Sequence, residues 1–378
     1  MKKFSSITTI YMGKEALAEA VGGARRVFIV CDPFMVSSGK VSYVTAYLQG
    51  TGAEYDIFSD VQADPDIETV VAGMARLIEY KPDHVVVLGG GSPIDAAKAM
   101  IFFARRQGAM PPCPFTAIPT TSGTGSEVSG FAVITDHKKN VKYPMVDESL
   151  LPTSAVLNAE LVMSVPPKVT ADAGLDVLTH AVEAFVSTNR TDFTDAMAEK
   201  AIKLICRHLL TAYREPENYE ARQRVHNASC IAGIAFSNAG LGLNHAMAHT
   251  LGAKFHIAHG RANAILLPYV MSFNAGCATQ LTETAKRYAK IARLCDISTA
   301  SVRQSALNVI RTIRSWTKKM DIPQTIREAG VSEADFHARL PEMAADASAD
   351  GCLATAPRPC TQDDIRRVFE NAYDGKLP

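Results

Sequence analysis

The chain has 378 residues, and its 39 Lys and Arg balance 39 Asp and Glu. Zero formal charge excludes a general electrostatic affinity for nucleic acid or anionic lipid. At roughly 100–200 residues per domain the length predicts two domains, and a hydrophobic share of 47 % excludes a disordered or low-complexity chain.

Cys31, Cys113, Cys206, Cys230, Cys277, Cys295, Cys352 and Cys360 include no pair at Cys-x-x-Cys spacing. They read as scattered reduced thiols of a cytoplasmic protein. No apolar run follows Lys2 and Lys3, so no secretory signal is expected. No stretch reaches the ~20 apolar residues of a membrane span.

The first element is a short stretch from Thr8 to Met12, expected as an exposed strand able to pair between subunits. Four apolar runs follow, Val27–Val30, Tyr55–Phe58, His84–Leu88 and Phe115–Ile118. Between them Ile67–Tyr80 and Pro93–Arg106 have helical periodicity. Strands alternating with helices predict an α/β domain with a parallel sheet over residues 1–165, which binds its ligand beyond the carboxyl ends of the strands. After Val165-Pro-Pro167 the pattern turns helical, from Lys168 to about Arg314. Residues 166–378 are therefore predicted as an all-α domain, closely packed on the first with a cleft between.

Gly89-Gly-Gly-Ser92 leaves a buried strand and opens a helix. Three glycines let backbone N–H groups approach a phosphate, and Ser92 is placed to cap the helix. The pattern is neither Gly-x-Gly-x-x-Gly nor a Walker loop. Asp32 ends the first strong strand, where an acid accepts ribose hydrogen bonds and repels a 2′-phosphate; this predicts NAD over NADP. Pro119–Glu127, rich in Thr, Ser and Gly, follows another core strand and is expected to line the same crevice.

Asp176 and His180 lie at i and i+4, on one face of a predicted helix, and His245 and His249 repeat the spacing. His256 and His259 follow. His84, His137, His208, His226 and His337 read as ordinary core or surface residues. Clustered imidazoles among apolar neighbours are costly unless they bind something. One carboxylate with several imidazoles suits Fe²⁺ or Zn²⁺ better than Ca²⁺ or Mg²⁺. The residues alone leave open which of the four clustered histidines are ligands.

Together these motifs resemble the iron-containing alcohol dehydrogenases over nearly the whole chain. The matching segments are Gly89-Gly-Gly-Ser-Pro-x-Asp-x-x-Lys98, Pro119-Thr-Thr-x-Gly-Thr-Gly-Ser-Glu127, Gly174-x-Asp-x-Leu-Thr-His-Ala-x-Glu183, Gly240-Leu-Gly-Leu-x-His-x-Met-Ala-His249 and Gly260-x-Ala-Asn-Ala264. Lys142-Tyr-Pro144, Ser164–Pro167 and Asp192–Lys200 look like the 1-propanol dehydrogenase branch associated with bacterial microcompartments.

The resemblance implies that Asp176, His180, His245 and His259 hold the metal, Fe²⁺ with Zn²⁺ as the alternative. It implies that His249 faces the nicotinamide without binding the ion; His249, or a water held by it, is the candidate proton relay, and His256, which has no counterpart role in the family, reads as a wall residue of the cleft. Asp32, Gly90, Gly91, Ser92, Thr120, Thr121, Thr124 and Lys142 match NAD(H) contacts. Phe131, Val133, Phe236 and Cys352 match the substrate side. Asp64 stands where many relatives carry Asn, near the adenosine ribose.

The implied activity is NAD(H)-dependent interconversion of short aldehydes and primary alcohols, such as propanal and 1-propanol or acetaldehyde and ethanol. Lactaldehyde, diol or glycerol dehydrogenation on the same scaffold is the alternative. A lyase of the dehydroquinate synthase type needs basic residues, and the metal-binding helices are poor in Lys and Arg. A metallohydrolase leaves Asp32 and the glycine loop without a role, and a non-catalytic shell protein leaves the metal residues without one. A homodimer is expected, cytoplasmic or within a microcompartment with shell or lumen partners, and with no nucleic acid or membrane partner.

Overall fold

A computed structural model describes residues 2–139 and 141–377. The chain divides into two compact units, Ser5–Ser164 and Val165–Pro378, the latter joined by Met1–Phe4. Lys2 Nζ donates to the carbonyls of Thr188 and Arg190 at 3.1 and 2.8 Å, and Phe4 stacks on Phe193, which ties the N-terminal arm to the second unit.

The first unit holds a six-stranded parallel sheet in the order β1-β8-β5-β4-β2-β3. Its strands are β1 (Thr9–Met12), β2 (Arg26–Cys31), β3 (Glu54–Phe58), β4 (His84–Gly89), β5 (Phe115–Pro119) and β8 (Ser154–Leu157). The helices that cover it are α1 (Ala16–Val21), α2 (Pro33–Ser37), α3 (Ser42–Thr51), α4 (Ile67–Tyr80) and α5 (Gly91–Arg106). Phe28 and Val30 of β2 enter one buried cluster with α4 and α5, while Val27, Ile29 and Cys31 enter another with α1 and α3. Burial on both faces is why β2 and β4 read as continuous apolar runs.

All four anticipated strands and both anticipated helices of this unit are present. β1 pairs with β8 of its own chain and forms one edge of the sheet. An antiparallel hairpin of β6 (Phe131–Asp136) and β7 (Val141–Val146) is an addition that the alternating pattern did not signal. β3 lies outside β2 whereas β5 lies on the far side of β4, so the order reverses between β2 and β4. That reversal opens a crevice beyond the carboxyl ends of those two strands.

The second unit is helical: α6 (Pro167–Val186), α7 (Asp192–Arg214), α8 (Tyr219–Ala239), α9 (Leu243–Phe255), α10 (His259–Ala275), α11 (Glu283–Leu294), α12 (Val302–Lys319), α13 (Glu333–Ala349) and α14 (Gln362–Asp374). Helix thus continues well past Arg314. α6 is buried almost throughout, with α7, α8 and α10 around it. Thr191 and Asn218 cap α7 and α8, accepting from Thr194 N and Ala221 N.

The expectation of reduced thiols needs one correction. Cys206 of α7 and Cys295, just after α11, form a disulfide across 89 residues. Helix packing brings them together, which residue spacing does not reveal. Among the described residues no helix is long and apolar enough to cross a membrane.

Candidate metal centre and cofactor cradle

α6 places Asp176, His180 and Glu183 along one face, as i, i+4 and i+7 spacing dictates. α9 supplies His245 and His249, and His259 is the first residue of α10. Asp176, His180, His245 and His259 each offer a ligand atom, and those atoms lie within 4.8 Å of one another. The first three are buried, while the His259 side chain is 42 % exposed and leaves one side open.

The donor geometry calls for a cation. His245 Nδ1 donates to Glu183 Oε2 at 2.5 Å, which leaves Nε2 as a lone-pair donor in the neutral ring. That Nε2 is buried without a hydrogen-bond partner and faces Asp176 Oδ1 at 3.7 Å. His259 Nε2 lies 3.5 Å from the same oxygen. Electron-pair donors facing one another in a dry site repel unless a proton or metal ion lies between them. The pKa shifts agree. Burial works against the Asp176 charge, yet His180, His259 and His245 hold its carboxyl far below the usual range. Burial likewise opposes charge on His245, but Asp176 and Glu183 draw it up to about 9. The residues present fit a divalent ion of the Fe²⁺ or Zn²⁺ kind.

A second layer holds these donors. Glu183 Oε1 accepts from Asn244 N at the start of α9 at 2.7 Å. Asn263 Nδ2 donates to Asp176 Oδ1 at 2.7 Å, and Asn244 Nδ2 donates to Asn263 Oδ1 at 2.8 Å. Arg261 clamps Asp172 with two hydrogen bonds, at 3.1 and 3.2 Å, and draws α10 against α6. Gly260 permits this approach, since a Cβ there would stand 2.3 Å from the Asp172 carbonyl oxygen. Glu183 and Asn263 fall within the family motifs, where the sequence assigned them no role, and Asn244 stands at an unspecified position of one. Glu183 was detectable as the third polar residue on the Asp176 face.

His249 belongs to a separate group with Asp350 and Cys352. Its Nδ1 donates to Asp350 Oδ2 at 2.8 Å. Burial penalises the Asp350 charge, but the hydrogen bonds from His249 and Cys352 hold its carboxyl down to about 2. Burial and the Asp350 charge push the Cys352 thiol up. The sequence carries no sign of Asp350, 101 residues from its partner. Phe236 stacks on His180, with ring centroids 4.5 Å apart. His256 is exposed and ends α9 in a left-handed conformation (φ 54°). It is the C-cap residue of α9.

The cofactor candidates lie in the first unit, and Asp32 and Gly90–Ser92 stand at the β2/β4 reversal. Asp32 Oδ1 caps α2 by accepting from Met35 N at 3.1 Å. Its Oδ2 faces Gly89, 3.4 Å from where a Cβ would stand. Gly90, not Ser92, is the N-cap of α5; Ser92 lies inside the first turn, and no side chain caps the first N–H groups. The helix starts earlier than expected because Gly90 turns the chain in an extended conformation. A Cβ on Gly91 would stand 2.9 Å from Thr124 Cγ2, and one on Gly90 3.3 Å from Thr121. Thr120 N donates to Gly89 O at 2.9 Å, so the Thr120–Thr124 loop is fixed beside the glycines.

Lys142 of β7 donates to Asp64 Oδ1 at 2.6 Å. Asp64 has φ 52°, a left-handed conformation that Asp and Asn tolerate. Beneath this surface Lys98 is fully buried. It donates to Ser126 Oγ at 2.8 Å, Ser129 O at 2.8 Å and Phe131 O at 2.7 Å. Asp95 accepts from Ser126 Oγ and Val133 N. Phe131 and Val133 belong to this first unit, Phe236 and Cys352 to the second.

Residues 8–159 match the iron-containing alcohol dehydrogenase family, and residues 170–373 match the C-terminal part of the Fe-containing alcohol dehydrogenase family. The chain is 43 % identical to a 1-propanol dehydrogenase of Salmonella typhimurium, over 98 % of this chain and 99 % of that one. It is 39 % identical to an NADPH-dependent butanol dehydrogenase of Clostridium saccharobutylicum, over 99 % of each. A solved structure of 1,3-propanediol oxidoreductase superposes with a TM-score of 0.91 at 33 % identity, covering 99 % of this chain and 100 % of that one. The chain therefore belongs to the iron-containing alcohol dehydrogenase family.

Proposed function

We propose that this alcohol dehydrogenase interconverts short unfunctionalised aldehydes and primary alcohols, propanal and 1-propanol foremost, with NAD(H) and Fe²⁺. The observation that carries the metal part is the buried His245 Nε2 facing Asp176 across 3.7 Å, with Glu183 fixing the ring from behind. When bound, the ion supplies Lewis-acid polarisation of a carbonyl oxygen and NADH supplies the hydride. Asp176, His180, His245 and His259 hold the ion. The N–H groups of Gly91 and Ser92 take the pyrophosphate of the cofactor, and the hydroxyls of Thr120, Thr121 and Thr124 steady it. Asp32 Oδ2 accepts from a ribose hydroxyl. His249 delivers the proton that the product alkoxide requires.

The decisive experiment is anaerobic purification with metal analysis, followed by NADH oxidation with two- to four-carbon aldehydes. Stoichiometric iron and turnover of propanal are expected. Turnover by the metal-free protein would overturn the assignment. A homodimer, and a place in a microcompartment among shell or lumen partners, belong to the same proposal; the family resemblance supports the first, and the likeness of Lys142–Pro144 and Asp192–Lys200 to the microcompartment-associated branch supports the second.

Coenzyme choice is testable at Asp64. Its carboxylate occupies Lys142, which is then not free to pair with a 2′-phosphate. Asp64→Asn removes a repelling charge and releases that lysine. The NADPH-to-NADH ratio of kcat/KM should rise by roughly tenfold, about 1.4 kcal/mol. An unchanged ratio would sink this reading.

Substrate choice follows from Phe131, which the family resemblance sets on the substrate side. An apolar ring offers a substrate hydroxyl no partner, which costs about 1–3 kcal/mol. Propanal should therefore exceed lactaldehyde in kcat/KM by roughly tenfold or more. Equal values would refute the apolar pocket and favour a diol substrate.

A further inference from the structure

We propose that Asp350 is a positioning residue for catalysis, fixing the tautomer and orientation of His249 so that Nε2 is the proton-carrying nitrogen. The inference rests on the relay role of His249 proposed above. It is drawn from the two hydrogen bonds of one carboxylate. Asp350 Oδ2 accepts from His249 Nδ1 at 2.8 Å, and Oδ1 accepts from Cys352 N at 2.8 Å. The second bond locks the carboxylate against rotation, because Asp350 caps the tight turn Gly351–Thr355. The first then holds the imidazole from a fixed point.

A neutral imidazole has one N–H and one lone pair. With Nδ1–H committed to Asp350, the lone pair sits on Nε2. The ring packs face to face with His259, at a centroid distance of 5.5 Å, and its side chain is 40 % exposed. The relay nitrogen is thus next to the metal-binding residues while still open on one side. When Nε2 takes up a proton, Nδ1–H keeps its bond to the Asp350 carboxylate 2.8 Å away, so the ring stays in place. When Nε2 releases that proton to an alkoxide, the ring returns to the same neutral tautomer and no atom has to move. The same carboxylate sets the backbone of Cys352, so relay and substrate wall share one anchor.

Asp350→Asn separates this role from simple capping. Asn is as good an N-cap as Asp, so the 351–355 turn survives. Its amide, however, presents an N–H toward Nδ1 and favours the opposite tautomer. The expected result is a fall in kcat of about 10²–10⁴-fold. KM for propanal and bound iron should stay near wild-type values. His249→Ala should show a similar loss with its iron retained, and the double variant should be no worse than His249→Ala alone, because the two residues act as a unit.

The two proposals fail separately. If His249→Ala keeps full kcat or loses its iron, the relay role itself is wrong. If His249→Ala is impaired but Asp350→Asn keeps wild-type kcat, only the positioning role is overturned. Additive losses in the double variant would also overturn it. Far-ultraviolet circular dichroism of Asp350→Asn and Asp350→Ala checks that both are folded.

Discussion

Asp176→Ala is expected to abolish bound metal and alcohol dehydrogenase activity together. The carboxylate is the sole anion in the four-residue group, and His245 Nε2, His259 Nε2 and Asn263 Nδ2 all lie within 3.7 Å of its Oδ1. Three neutral imidazoles remain after the substitution, with no charge to offset that of a divalent ion. The loss should exceed the 10–100-fold typical of an outer-layer change. Glu183→Gln supplies that smaller step. It keeps a hydrogen-bonding side chain behind His245 but removes the charge that makes the imidazole a better donor, so metal affinity should fall about 10–100-fold with the fold intact. Metal analysis and turnover should decline in parallel across the two variants. Full activity in Asp176→Ala without metal would remove the ion from the mechanism. The helical unit should survive, because its core is a continuous apolar cluster spanning α6 to α14 and does not pass through the ligand atoms.

The chemistry was easier to read in the sequence than the supports behind it. Asp176 and His180 were legible because a single helix fixes their spacing. Gly89–Ser92 was legible because a buried strand runs straight into it. Which of His245, His249, His256 and His259 bind metal was not, since a turn separates α9 from α10 and period counting stops at the turn. Only the family resemblance divided them, and the structure groups Asp176, His180, His245 and His259 apart from His249. Asp350 and the Cys206–Cys295 bond depend on chain-distant packing and left no local trace. The β6–β7 hairpin was missed for another reason. β7 is largely exposed, so its residues lack the apolar alternation that marks a half-buried strand. Ser92 illustrates a boundary error: a serine after glycines looks like a cap, but Gly90 had already begun the helix.

Lys98→Met should be the most destabilising single change in the first unit, by about 3–5 kcal/mol. The lysine is 1 % exposed, and burial pulls its pKa down to about 8 while Asp95 and Glu127 oppose that fall. Burial pushes Glu127 up to about 7 and raises Asp95 as well. These acids are tolerated because Lys98 neutralises them and Ser126 and Val133 bond to Asp95. Removing the cation leaves two buried carboxyl groups without a counter-charge, which methionine's shape does not repair. The loss also has a direction. Lys98 Nζ holds Ser126, two residues beyond Thr124, and the carbonyl of Phe131 at the start of β6. Both the threonine loop and the hairpin that carries Lys142 are therefore loosened. Chemical denaturation should show the lower midpoint, and NADH titration by fluorescence should show weaker binding under conditions where the variant is still folded. Bound iron should be unchanged, because every metal-holding residue lies in the other unit. Replacing Asp95 by Asn in the Lys98→Met background should recover part of the stability, since it removes one unpaired charge while preserving an acceptor for Ser126. A double variant less stable than Lys98→Met would show that the carboxylate's hydrogen bonds, and not its charge, govern this network.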